Sequence, residues 1–239
     1  MKHEERTYRS LINNNNLISY NIKIAESDLF ISSEANLSEM AFQSLSKHRN
    51  SIEIYIKNYP EFRNALLPLP ENHLAPPIIR DMISKSMICG VGPMASVAGA
   101  IAEFVGYDLL DQTETLIIEN GGDIFLRSNK RSTVAIYAGE SALSYKVNVV
   151  VKPEETPLGI CTSSATVGPS LSFGKADAVC VISKSATLAD AAASAIGNRV
   201  KSKKDIKTAL VYGIEIPGIK GIIIICGNDM GAIGDVEFI

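Results

Sequence analysis

The chain has 239 residues, of which 46% are hydrophobic and 21% charged, a balance that fits a packed globular protein and excludes a disordered or fibrous one. A formal net charge of −3, with no basic cluster interleaved with aromatics, excludes nucleic acid as an expected partner. The start MKHEERTYRSLINNNN has no apolar core behind its basic residues, and Ser86 to Ala102, an uncharged stretch rich in small residues, falls short of the roughly 20 apolar residues of a spanning helix, so no membrane association and a cytoplasmic location are expected.

The first segments read as antiparallel strands. Thr7 to Ile12 and Leu17 to Ile24 flank an asparagine run that suits a turn, and Asp28 to Glu34 follows. Asn36 and Glu39 have capping-box spacing, and Ala41, Leu45, His48, Ile52, Tyr55, Ile56 and Tyr59 form the stripe of an amphipathic helix that Pro60 stops. Residues 60–77 are punctuated by proline and read as an extended crossing segment, with Leu66, Leu67 and Leu69 expected to be buried. A helix over Pro77 to Met87 and a second one from Pro93 to about Phe104 are predicted. Strands are predicted at Leu116–Glu119, Ile124–Arg127, Thr133–Tyr137, Lys146–Val151, Gly159–Thr162 and Ala178–Ile182. A helix over Thr187 to Ile196 precedes a polar turn or short helix and a closing strand pair. Strand groups accompanied by helices, without regular alternation, indicate an α+β protein. Its division into halves at 1–112 and 113–239 is one expectation; a homo-oligomer built through exposed strand edges is another.

Three stretches could carry chemistry. CGVGPMASVAGAIAEFVG places a turn containing Gly92 before a helix of small residues; its free N–H groups suit a phosphate or carboxylate, while the small side chains equally suit close packing. Thr162, Ser163, Ser164 and Thr166 set four hydroxyls after a strand, with Gly168-Pro169 turning the chain and Lys175 and Asp177 leading into the next strand, an arrangement that suits a diphosphate. Asp190 and Ser194 are four apart on one helical face and could share Mg²⁺, yet Thr187-x-x-Asp190 also fits a local helix cap. Cys89, Cys161, Cys180 and Cys226 are scattered among apolar or small residues and read as buried free thiols. His3, His48 and His73 all lie outside the polar second half.

Taken in order, ENGGDI (Glu119 to Ile124), the small-residue helix before it, CTSS (Cys161 to Ser164) and ADAAASA (Ala189 to Ala195) resemble the ApbE family, the FAD:protein FMN transferases, and above all its UPF branch. The resemblance covers roughly Gly90 to Ile196. It implies an ApbE-like, T-fold-like α+β fold of two strand-plus-helix halves packed as one unit. It further implies FAD or a related nucleotide cradled by Glu119, Asn120, Gly121, Gly122, Asp123, Gly92, Thr162, Ser163 and Ser164, and Mg²⁺ held by Asp190 and Ser194. The family's H-x-x-D-P-x-T-G segment has no counterpart in GPSLSFGKADAV, nor does the lysine of its KG helix. Lys175 and Asp177 lie near the vacated segment and are the candidate substitutes. The resemblance implies one of two roles, a Mg²⁺-dependent flavin or nucleotidyl transferase or a binding protein that keeps the site without transfer, and the T-fold analogy adds a third, an enzyme acting on a purine- or pterin-like ring anchored by Glu119.

Overall fold

The computed structural model describes residues 17–166 and 173–239; the strand expected at Thr7 to Ile12 and the Gly168-Pro169 turn lie outside them. In chain order come β1 (Ile18–Ile24), β2 (Ser27–Ser33), α1 (Ser38–Asn58), α2 (Glu61–Asn64), α3 (Pro77–Cys89) and α4 (Val97–Leu109). There follow β3 (Leu116–Asn120), β4 (Asp123–Arg127), β5 (Ser132–Ala135), β6 (Asn148–Val151), β7 (Leu158–Ser163), β8 (Ala178–Ser183), α5 (Ala186–Gly197), α6 (Ile206–Ile214), β9 (Ile219–Cys226) and β10 (Asp229–Gly234). Eight strands form one sheet in the order β1-β2-β3-β4-β7-β8-β9-β10, antiparallel throughout; β2 pairs with β3, so the sheet continues across residue 112. The α+β expectation describes this architecture.

Period-two alternation divides the side chains between two cores. Leu29, Ile31, Leu116, Ile118, Phe125, Cys161, Val179, Val181, Ile222 and Ile224 face the helices. Leu126, Leu158, Ile160, Ala178, Cys180, Ile182, Ile223 and Ile225 face the β5–β6 ribbon, which brings Val149 and Val151 against them. On the helical side α4 lies over β3 and β4, α5 over β7 and β8, and α6 over β9 and β10. Each fully buried Leu, Ile or Phe contributes about 1.5–3 kcal/mol, and Phe125, Leu29, Ile31 and Ile118 are all fully buried. No single helix among the described residues is long and apolar enough to cross a membrane.

Two local expectations are corrected. Asn36 Oδ1 accepts one N–H, that of Ser38, at 3.0 Å, and no capping box with Glu39 forms; α1 starts beside Leu37 and is held by its buried stripe instead. Leu66 and Leu67 are 59% and 72% exposed, and only Leu69 joins the core edge. The crossing segment packs on Gly92 through its main chain, with Ala65 O filling the space where a Cβ would stand, while the Leu66 and Leu67 side chains stay in solvent. Leu66→Ser and Leu67→Ser are therefore expected to change stability by no more than about 0.5 kcal/mol in urea unfolding; a loss of 2 kcal/mol would show that both are buried.

Candidate functional site

The GGD stretch is a β-hairpin turn. Asn120 pairs with Asp123, leaving Gly121 and Gly122 as a two-residue loop. Both have positive φ, 70° and 104°, the condition of a type I′ turn, which matches the twist of the flanking strands and suits glycine at both positions. At Gly122 the constraint is the dihedral rather than space, since a Cβ would meet only Thr162 O at 3.6 Å. Glu119 Oε1 accepts the Gly122 N–H at 2.8 Å and so stiffens the turn from within.

Strand parity sorts the candidate residues. Asn120 and Asp123 follow Ile118 and precede Phe125 on the helical face, and Ser163 shares that face with Cys161. Glu119 and Thr162 point to the opposite face, where Thr162 meets Cys180 across the β7–β8 pair. The sheet end thus gathers Asn120, Asp123 and Ser163 under the helices and separates them from Glu119 and Thr162.

The helices meet this end through crossed carboxylates. Asn120 Nδ2 donates to Ala98 O at 3.1 Å, and Asp190 Oδ2, reaching from α5, accepts the Gly99 N–H at 2.9 Å. The free N–H groups foreseen at the start of α4 therefore already have a carboxylate, supplied by the chain itself. Asp190 does not cap its own helix: Ser185 Oγ does, accepting the Leu188 N–H at 3.2 Å. In return Glu103, inside α4, places Oε2 at the start of α5. It accepts from Ser185 Oγ at 2.9 Å, Thr187 N–H at 2.8 Å and Thr187 Oγ1 at 2.9 Å. Gly99 makes the crossing possible, because a Cβ there would run into Ala186 O and come within 2.8 Å of Asp190 Cβ. Sequence reasoning missed Glu103; its signal is a lone charge within the apolar run Val97 to Val105.

Burial sets the electrostatics. It pushes the Asp190 carboxyl up to about 7 against the Gly99 and Ala98 N–H groups, which favour the anion. Asp123 is pushed well above the carboxylate range, first by burial and then by the charge of Asp190. Cys161, paired with Asp123 across β4–β7 and donating Sγ–H to Ala186 O at 3.3 Å, is driven up by burial and by both carboxylates. It is held as an inert thiol rather than a nucleophile.

The remaining candidates lie around the rim. Ser164 Oγ is 3.3 Å from Thr166 Oγ1, which donates to Asp177 Oδ1 at 3.4 Å; Asp177 Oδ2 accepts the Gly227 N–H at 2.6 Å. Lys175 is exposed and its N–H bonds Val200 O at 2.7 Å. Ser194 is half-buried one turn beyond Asp190. Gly92 faces the main chain of Ala65 and Leu66. His48 is packed, its Nε2 2.9 Å from Asp108 and its ring edge-on to Phe104, and His73 sits on the exposed crossing segment. Among the described residues, no three His, Cys, Asp or Glu side chains converge as a ready metal cage.

Residues 9–231 match the sequence profile of the AbpE bacteria family. The chain belongs to the AbpE bacteria family. Relatives include UPF0280 proteins of Methanococcus aeolicus, 39% identical over 82% of each chain, and of Methanocaldococcus jannaschii, 42% identical over 82% of each. The same fold occurs in Pseudomonas stutzeri flavinyl transferase ApbE in its apo form, with a TM-score of 0.59, 14% identity, and coverage of 91% of this chain and 93% of that one. It also occurs in a mutant of the flavin transferase ApbE from Vibrio cholerae, with a TM-score of 0.56, 12% identity, and coverage of 92% and 97%. At such identity the likeness is one of fold, and an AbpE bacteria member has to be read for function from its own residues.

Proposed function

We propose that the chain binds a flavin dinucleotide together with Mg²⁺ at the sheet end, as a divergent relative of the flavin transferases. The observation that carries this is the placement of two buried carboxylates, Asp123 and Asp190, under the Gly121-Gly122 turn, each with its proton affinity raised by burial and Asp123 also by its neighbour's charge. A dication beside them would offset both the desolvation and the repulsion, and Mg²⁺ characteristically takes only one or two carboxylates, leaving its other positions to water and phosphate. Asp190, Asp123 and the Ser194 hydroxyl would hold it. Asn120 and Glu119 brace the turn whose backbone would face the dinucleotide, and Ser163 and Ser164 offer donors to its phosphates. When bound, the ion would neutralise charge at the phosphoanhydride.

Two roles share this site. As a transferase, Asp177 would accept the proton of an attacking hydroxyl, Lys175 would meet phosphate charge, and AMP would leave as the flavin phosphoryl bond forms. As a binding protein without transfer, the site would hold the flavin only; the commitment of Asp177 Oδ2 to the Gly227 N–H favours this second role.

Thermal melts with FAD, FMN, ATP and GTP, each with and without Mg²⁺, test the assignment. FAD at about 100 times its dissociation constant should stabilise by about 2.7 kcal/mol, a rise of roughly 5–10 °C for a domain of this size, and only when Mg²⁺ is present. An equal rise in chelator would remove the ion from the proposal, and no rise would remove the flavin. Product analysis for AMP then separates transfer from binding alone.

A further inference from the structure

We propose that Glu103 is the positioning residue of this site: it fixes the start of α5 and thereby sets where Asp190 stands. The inference rests on the flavin–Mg²⁺ assignment for its functional consequence, and on geometry alone for its structural one. Glu103 and Gly99 lie one turn apart on α4, and Thr187 and Asp190 lie one turn apart on α5. Glu103 holds Thr187 by its N–H and hydroxyl, and Asp190 holds the Gly99 N–H, so four groups close a ring between two helices.

The two sides of the ring differ in kind. Asp190 Oδ2 receives side-chain-independent N–H groups at the start of α4. Glu103 Oε2 collects three donors from the start of α5, two of them hydroxyls, and Ser185 is at once its donor and the N-cap of α5. The first turn of α5 is therefore oriented by a side chain of α4, in a region where Gly99 and Gly159 allow the helix main chain to close onto α4 and β7. Asp190 follows Thr187 by three residues, so a rotation of that turn moves its carboxylate along the sheet end. Glu103 itself lies one helical turn beyond Gly99 on α4, its Oε2 taken up by Ser185 and Thr187, and acts through α5 rather than on a ligand.

The test uses the full chain as wild type, Glu103→Gln and Glu103→Ala, measuring Mg²⁺ affinity by calorimetry with FAD present and the Gly99 amide resonance in glycine-labelled protein. Glu103→Ala is expected to weaken Mg²⁺ binding about 10–100-fold, the usual effect of removing a group that orients a metal ligand, and to shift the Gly99 resonance from its carboxylate-bonded position. Glu103→Gln, whose amide oxygen can take all three donors, should restore both to near wild type. If Glu103→Ala does not fold, the Ser185→Ala, Thr187→Ala double variant removes two of the three donors and should show the same effects at smaller size. A folded Glu103→Ala (or double variant) with unchanged Mg²⁺ affinity and an unmoved Gly99 resonance would overturn the proposal. So would a Glu103→Gln protein as impaired as Glu103→Ala. If the wild type binds no Mg²⁺, the flavin–Mg²⁺ assignment falls by itself and the Gly99 resonance decides the positioning role.

Discussion

Replacing Asp190 by Asn is expected to raise the melting temperature of the metal-free protein near pH 8 while abolishing its Mg²⁺-dependent response to FAD. The Asp190 carboxyl is held at about 7 in the folded chain, against an ordinary value of about 3.9 in the unfolded one. Between those values the folded state binds more protons than the unfolded state, so stability falls as the pH rises through the window and the full cost is present above it. The gap corresponds to an upper bound of about 4 kcal/mol; relaxation and the neighbouring Asp123 reduce the expected gain from Asn to about 1–3 kcal/mol. Asn keeps an oxygen for the Gly99 N–H, so the ring between α4 and α5 survives the exchange. Melts in chelator near pH 5.5 and pH 8 check the sign: the wild type should lose stability on going up, and the variant should be flatter. A wild type that is equally stable at both values would contradict the account.

Gly99→Ala should be severely destabilising even though alanine is the better helix former. The intrinsic gain is about 1 kcal/mol. Against it, the new methyl would meet Ala186 O and Asp190 Cβ, one of them main chain of the neighbouring helix that cannot rotate away. Overpacking of this kind costs about 1–3 kcal/mol and occasionally more, and here it also forces α5 off the start of α4. We expect a net loss of at least 2 kcal/mol in urea unfolding together with loss of FAD binding. A stabilised Gly99→Ala protein would mean that the helices are further apart than described.

Much of the framework was legible because it rests on local periodicity. The helix stripe of α1 and the strand runs of β3, β4, β7, β8 and β9 follow from alternation and 3.6-residue spacing, and residues such as Phe125 and Ile118 then had to be core. What escaped was settled between distant segments. Thr187-x-x-Asp190 satisfies a local capping pattern, yet Asp190 binds a helix ninety residues earlier, because the two helix starts are packed side by side. Leu66 and Leu67 are apolar enough for a core, but the segment meets Gly92 with its main chain and leaves both side chains exposed. The candidate residues of the turn and the hydroxyl loop were legible as a group; their distribution over two faces of the sheet became readable only once Asp123 was known to pair with Cys161.

The ribbon under the sheet has a kinetic consequence. Every residue of β8 is buried, and β9 is buried over Gly221 to Ile225, between the helices above and Val149 and Val151 below. Their amides can exchange with solvent deuterium only when the whole protein opens. Those of β1 and β10, wet along much of their length, need only a local excursion. Exchange should therefore proceed from the two margins inward, leaving β8 and the buried middle of β9 as the last memory of the native state.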